Sequence, residues 1–260
     1  MANNLTLLQP TNLKDESFLA ELKALNANLQ IVVAFRMLPK VVWEMPSLGT
    51  FNLHASLLPN YRGAAPINWA IINGETETGV TTFFIDDKID TGAMILNAST
   101  PISTNESAGE LHDRLMLLGS ETVINTLALI EKGNVVTTIQ QDDSEIKTAY
   151  KLNKENCKID WTKPAAEIHN LIRGLCPYPA AWCYISDKGE EWNVKIYEAI
   201  PVLESHALPI GQLLCSQKEM KIAVANGFIQ IESIQFPGKK KMKTAELLNG
   251  IQFSDEARAY

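Results

Sequence analysis

Two rhythms of apolar and polar positions divide the chain. In the first half, helical spacing alternates with unbroken apolar runs: Phe18, Leu22 and Leu25 recur at the helical period, and Ile31-Val32-Val33-Ala34-Phe35 follows as a continuous apolar stretch. Such a run predicts a strand buried on both faces of a parallel sheet. Thr50 to Ala55 and Gly79 to Ile85 are further strand candidates, and Met94-Ile95-Leu96 begins another. Leu111, Leu115 and Leu118 predict a long helix from about Glu106 to Glu131, which Gly133 can stop.

Beyond Val136 the apolar period is lost in a polar stretch that holds Gln140-Gln141-Asp142-Asp143-Ser144 and scattered lysines. Thr162 and Pro164 then open a short helix through Ile168, Leu171 and Ile172 that ends at Gly174. Short strands follow at Ala181 to Ile185, Val194 to Ile200, Gln212 to Leu214, Lys221 to Val224 and Phe228 to Ile234, with Gly or polar turns between them. Five short strands predict a small barrel, an OB-type fold first among the candidates. The expected organisation is an α/β domain over 1–135, a linker over 136–158 and an OB-like domain over 159–260. The first domain lacks the opening βαβ portion that supplies the centre of a doubly wound sheet, which would leave the Ile31 to Phe35 run with an uncovered apolar face.

Composition narrows the class. At 260 residues, 46% hydrophobic and 20% charged, the chain describes a folded protein, with no apolar stretch near the roughly 20 residues that span a bilayer. Its first residues form neither a basic flank nor a signal-peptide core, which predicts a cytoplasmic location. Cys157, Cys176, Cys183 and Cys215 lack C-x-x-C spacing and read as reduced core thiols. The net charge of −7 opposes general affinity for nucleic acid, whose binding draws on clustered Lys and Arg. Residues 1–135 carry 8 basic and 14 acidic side chains, against 15 and 16 in 136–260, so any such contact is local. Lys239, Lys240, Lys241 and Lys243, after Pro237-Gly238, form one cluster; Lys147, Lys151, Lys154 and Lys158 are more dispersed. Either set also reads as solvated surface charge.

The densest chemical signal runs from Phe51 to Gly63. Asn52 and His54, two apart on a predicted strand, emerge on one face while Phe51, Leu53 and Ala55 point to the other. Alone, an Asn-x-His is as readily a structural pair. Here the strand enters the Ser56-Leu57-Leu58-Pro59 turn and then a helix beyond Arg62-Gly63, the setting of a ligand crevice at strand ends. The second signal is Asp86-Asp87-Lys88-Ile89-Asp90-Thr91-Gly92. Asp86 and Asp87 read as solvated, whereas the Thr91-Gly92 turn can aim Asp90 inward, where a carboxylate fixes a histidine tautomer and sustains its charge. The sequence shows no Gly-x-Ser-x-Gly elbow, metal-binding His pair, P-loop or G-x-G-x-x-G. Asn52, His54 and Asp90 together suit attack of an amine on an acyl carbon, with donors to the developing oxyanion and a proton-transfer group.

The stretch Asn52-x-His54-x-Ser56-Leu57-Leu58-Pro59-x-Tyr61-Arg62-Gly63-Ala64-Ala65-Pro66, with Glu77-Thr78-Gly79-Val80-Thr81 and Asp90-Thr91-Gly92, resembles the methionyl-tRNA formyltransferases. Ile159-Asp160-Trp161, Cys176-Pro177-Tyr178-Pro179-Ala180-Ala181-Trp182 and Pro237-Gly238-Lys239-Lys240-Lys241-Met242 are similar to that family's C-terminal domain. The resemblance implies a Rossmann-like formyltransferase domain, incomplete at its N-terminus, followed by an OB-like β-barrel. It implies formyl transfer from 10-formyltetrahydrofolate to the amino group of initiator methionyl-tRNA, with Asn52, His54 and Asp90 catalytic. Ser56, Leu57, Leu58 and Pro59 would line the folate site, Lys239, Lys240, Lys241 and Lys243 would be tRNA contacts, and the complete protein would be a monomer. Arg36 stands where the family usually has glycine and would either reshape the folate crevice or reach solvent. The competing expectations are a relative using the same donor on a sugar nucleotide or on water, and a non-catalytic RNA-binding fragment.

Overall fold

The computed structural model describes residues 5–34, 37–141 and 145–260; Arg36 and Asp142 to Ser144, which the sequence singled out, lie outside them. Two compact units emerge. One gathers residues 1–63, 79–99 and 115–148, the other 64–78, 100–114 and 149–260.

The elements in chain order are α1 (Glu16–Ala24), β1 (Gln30–Val33), α2 (Lys40–Trp43), β2 (Thr50–His54), β3 (Arg62–Gly63), α3 (Pro66–Ile72), β4 (Glu77–Phe84), β5 (Met94–Pro101), α4 (Ala108–Glu131) and β6 (Thr148–Ala149). After them come α5 (Ala165–Leu175), β7 (Ala181–Asp187), β8 (Glu190–Val202), β9 (Leu213–Cys215), β10 (Met220–Val224), β11 (Gly227–Gln235), β12 (Met242–Lys243), α6 (Thr244–Leu248) and β13 (Arg258–Ala259).

The sheet of the first unit has the order β1-β2-β4-β5. Strands β1 and β2 are parallel, whereas β4 runs antiparallel to β2 and pairs Phe83 with Asn52 and Thr81 with His54. Helix α4 approaches closely because Gly119 has no side chain: a Cβ there would lie 2.8 Å from Cδ2 of Leu53. Thr82 on β4 and Thr126 on α4 share a buried hydroxyl pair at 2.8 Å. The expectation that the Ile31 run is buried on both faces needs correction. Strand β1 ends the sheet order, and Ile31 and Val33 are 41% and 56% exposed, because no described element covers that face.

In the second unit the strand order is β13-β7-β8-β11-β10-β9, with β12 on β11. The two ends meet: Leu213 N–H donates to Ala257 O at 3.0 Å and Ala259 N–H to Gly211 O at 2.8 Å. The two ends of the sheet order therefore join and the sheet curls into a nearly closed barrel. Strand β7 alternates buried Ala181, Cys183 and Ile185 with outward Trp182 and Tyr184, the period-two pattern of a wall with one dry face. Helix α5 plugs the barrel with Ile168, Ile172 and Leu175. All four cysteines are free, three of them buried and Cys215 exposed; complete burial pushes the Cys183 thiol up to about 12.

His169 on α5 is 8% exposed and has no hydrogen-bond partner among the described residues. Burial first, and the neighbouring Arg173 guanidinium second, hold its imidazole below the ordinary 6.5. The folded state then binds fewer protons than the unfolded chain, so stability is full above the ordinary pKa and is lost as pH falls through it toward the folded value. Urea unfolding is expected to show a lower midpoint at about pH 5.5 than at about pH 7.5, and His169→Leu should flatten that difference. An equal pH dependence in the variant would remove His169 as the cause.

Candidate active site

Strand β2 carries Asn52 and His54 to one end of the first unit's sheet, with Phe51 fully buried behind them. The His54 side chain is 7% exposed and that of Asp90 15%, with Nδ1 and Oδ2 3.8 Å apart. His54 Nε2 lies 2.8 Å from the Tyr61 carbonyl. A carbonyl only accepts, so Nε2 carries the hydrogen and, in the neutral ring, Nδ1 keeps the lone pair that faces Asp90. Asn52 Oδ1 is buried with no hydrogen-bond partner among the described residues. Leaving such an atom unmet costs about 1–3 kcal/mol, which a ligand bearing a polar hydrogen would recover. The residues therefore fit an amine or amide at this place.

Asp90 owes its aim to backbone geometry. It adopts the left-handed conformation, φ +55°, which short polar side chains tolerate better than others. Its Oδ2 accepts Gly63 N–H at 2.9 Å. Asp86 and Asp87 are exposed, and Asp86 accepts from the Thr91 hydroxyl at 2.8 Å and from Lys88 N–H at 3.0 Å, closing the loop on itself.

The Ser56-Leu57-Leu58-Pro59 turn is held from within. Ser56 is wholly buried, and its hydroxyl donates to Asn60 O at 2.7 Å. The Thr81 hydroxyl donates to Ser56 O at 2.7 Å and accepts Leu58 N–H at 3.1 Å. Leu58 is 6% exposed; Leu57 and Pro59 are half-buried. The serine hydroxyl thus fixes the turn, and what the segment can offer a ligand is its backbone and the flanks of Leu57 and Pro59.

Three residues around Asp90 escaped the sequence reading. Gln140 Nε2 donates to the carbonyls of Asp90 at 3.0 Å and Gly92 at 2.8 Å. Arg62 Nε donates to Gln140 Oε1 at 3.0 Å. Tyr61, left-handed at φ +62°, supplies the carbonyl that orients His54. Gln140 has no local signature, since its bonds reach segments 48 to 78 positions away; Tyr61 and Arg62 lie within the Asn52 to Pro66 motif, but residue type does not reveal that the Tyr61 carbonyl, seven positions from His54, orients the imidazole.

In the second unit the lysine cluster is divided. Lys241 and Lys243 both reach Glu198, at 3.0 and 2.6 Å, and Lys241 lies 5.0 Å over the Tyr197 ring. The Glu198 carboxylate holds the Lys243 ammonium above its usual pKa. Lys239 and Lys240 are exposed and carry no described ion pair.

With this geometry stand the relations to known proteins. Residues 2–127 match the formyl transferase family and 151–252 the formyl transferase C-terminal domain. Along all 260 residues the chain is 76% identical to a methionyl-tRNA formyltransferase of Flavobacterium johnsoniae, covering 82% of that protein. The chain belongs to the methionyl-tRNA formyltransferase family. Its first domain is accordingly the family's Rossmann-like formyltransferase domain, and its nearly closed barrel the OB-like C-terminal one. A variant of HypX from Aquifex aeolicus shares the fold, with a TM-score of 0.69 at 22% identity over 95% of this chain and 43% of its own. An N-formyltransferase from Helicobacter canadensis, solved with folinic acid and dTDP-3-aminofucose, gives a TM-score of 0.58 at 26% identity over 80% of this chain and 71% of its own. No described helix is long and apolar enough to cross a membrane.

Proposed function

We propose that this member of the methionyl-tRNA formyltransferase family moves a formyl group from 10-formyltetrahydrofolate to the α-amino group of initiator methionyl-tRNA, by direct attack of the amine. The observation that carries the reading is the buried approach of His54 to Asp90, with the unpartnered Oδ1 of Asn52 two residues before His54 on the same strand, in a chain 76% identical to a methionyl-tRNA formyltransferase. Folinic acid in the Helicobacter canadensis N-formyltransferase supports a formylated folate as donor.

In this mechanism the unpartnered Asn52 Oδ1 accepts a hydrogen from the incoming amine. As the amine nitrogen bonds to the formyl carbon, the C=O electron pair moves onto oxygen and the amine proton passes to Nδ1 of His54. The resulting imidazolium faces Asp90, whose carboxylate stabilises it. His54 then returns that proton to the departing nitrogen N10 as the carbon–nitrogen bond breaks, leaving an N-formyl amine and tetrahydrofolate. Ser56 through Pro59 lie along the donor, contributing backbone rather than the serine hydroxyl. Residues 1–135 carry this chemistry, 136–158 connect while bringing Gln140 to the Asp90 turn, and 159–260 add tRNA contacts.

Single-turnover assays on the enzyme with charged initiator tRNA and 10-formyltetrahydrofolate test the reading. Formyl-methionyl-tRNA is the expected product. Preferential formylation of an amino-sugar nucleotide, or release of formate, would overturn the acceptor.

The division of the lysines yields a further expectation. Replacing Lys239 and Lys240 by Gln should weaken tRNA binding and flatten the slope of log K against log salt by roughly 0.7–0.9 for each phosphate no longer neutralised. Lys241 and Lys243, which share the one Glu198 carboxylate and so are together half neutralised, should matter less per residue. Filter binding over a salt series is the measurement, and an unchanged slope would make the pair ordinary surface charge.

A further inference from the structure

We infer that Gln140 is a positioning residue for the transfer reaction, clamping together the two backbone segments that aim His54 and Asp90; the inference rests on the formyl-transfer reading of that site. Gln140 sits in the polar stretch that the sequence reads as linker, yet it is 7% exposed. An isolated bridge delivers it: Thr138 and Met94 exchange both backbone bonds at 2.9 Å, which lays the segment beside the Asp90–Gly92 turn.

Its amide orientation is fixed by its partners. The NH₂ end faces two carbonyls, Asp90 O at 3.0 Å and Gly92 O at 2.8 Å, which only accept. The oxygen faces Arg62 Nε at 3.0 Å, which only donates. Both amide hydrogens and the oxygen are thus engaged, and no other uncharged side chain of this length supplies that set.

The two ends reach the two halves of the site. The carbonyls belong to the turn in which Asp90 is held left-handed at φ +55°. Arg62 lies between Tyr61, whose carbonyl orients His54 at 2.8 Å, and Gly63, whose N–H holds Asp90 Oδ2 at 2.9 Å. One amide therefore ties the strand that orients the imidazole to the turn that presents the carboxylate. Loss of the clamp frees the turn to relax from its left-handed residue and widens the 3.8 Å gap between His54 and Asp90. A displacement of this kind, on the order of 1 Å, costs about 10²-fold in rate.

Gln140→Ala removes the clamp, and Gln140→Glu keeps the shape while turning two donors into acceptors. Both are expected to lower kcat by about 10²-fold with KM for donor and tRNA little changed, while Gln141→Ala, at the exposed neighbour, leaves turnover as it was. If Gln140 acts through Asp90, its substitution costs little more in an Asp90→Asn background; additive losses would overturn the inference. Where Gln140→Ala does not fold, Arg62→Lys, which withdraws the guanidinium from the amide, serves the same cycle. A second arm needs no turnover: ¹⁵N NMR of the His54 ring should report a changed Nδ1 resonance in Gln140→Glu relative to wild type. An unchanged ring spectrum would sink the clamp. Failure of the wild type to formylate methionyl-tRNA, with the ring spectrum still responding to Gln140, would instead sink the functional reading alone.

Discussion

Replacing His54 by Ala is expected to lower formyl transfer by about 10²–10⁴-fold, the usual contribution of a positioned acid–base group. The argument starts from the tautomer: Nε2 is committed to the Tyr61 carbonyl at 2.8 Å, so only Nδ1 can take a proton, and it faces Asp90. A methyl group at this position removes that acceptor and leaves the Tyr61 carbonyl without its imidazole donor, which adds a smaller structural cost. Asp90→Asn separates charge from shape, since the amide oxygen can still accept Gly63 N–H but no longer stabilises an imidazolium. It should lose transfer within the same about 10²–10⁴-fold range while folate binding is largely kept. Single-turnover rates of each variant and of the double variant decide the matter. Residues acting as one unit give a double loss far below the product of the single ones. Near-wild-type rates in either single variant would remove that residue from the mechanism.

How much of this was legible in the sequence depends on the range of the interaction. The pairing of Asn52 with His54 on one strand face follows from the period of a strand, and α4 and α5 follow from helical spacing with Gly or Pro at their ends; the structure places them over Ala108–Glu131 and Ala165–Leu175. The five short strands of the second half were visible as alternation. Their closure into a barrel was expected from the strand count, but not the bonds that achieve it: those joining Gly211 to Ala259 and Leu213 to Ala257 link the ends of the strand order through segments with no periodic signal. For β1 the apolar run predicted burial on both faces, whereas the expected lack of strands beside it predicted an uncovered face, and the second agrees with its place at the end of the sheet order. An apolar run states what a strand would bury, but neighbouring elements decide what it does bury, and Ile31 and Val33 are exposed.

The same distinction divides the site. Asp90 could be singled out from its two acidic neighbours because Thr91-Gly92 follows it. Gln140 looked like one more polar residue in a linker, since its three bonds reach Arg62, Asp90 and Gly92 across 48 to 78 positions. Ser56 shows the converse: a hydroxyl in a motif invites a ligand role, and complete burial with its bond to Asn60 gives that hydroxyl a turn to hold while leaving the segment's backbone for a ligand. Likewise Lys241 and Lys243 belong to a basic run in sequence, but to an ion-paired group around Glu198 in space.

Gly92→Ala is expected to damage both stability and turnover, although it adds a single methyl group. A Cβ at this position would lie 1.6 Å from the Phe84 carbonyl oxygen and 3.2 Å from Cδ2 of Phe83. The first contact is with backbone, which cannot swing aside as a side chain can. Phe84 is moreover fixed on the other side, its N–H donating to Ala93 O at 3.0 Å. The main chain of the turn must therefore move, and inserting a methyl group into such a space costs about 1–3 kcal/mol. The same movement carries Gly92 O away from Gln140 and shifts Asp90, so a further loss of about 10²-fold in rate is expected from a displacement near 1 Å. Urea unfolding measures the first effect, and single-turnover transfer at a temperature where the variant remains folded measures the second. Gly250→Ala is the control, because a Cβ there meets nothing closer than Leu247 O at 3.8 Å and should change neither. If Gly92→Ala unfolds and turns over like the wild type, the turn is softer than its contacts imply, and the close packing of Gly92 against β4 is not what sets the position of Asp90.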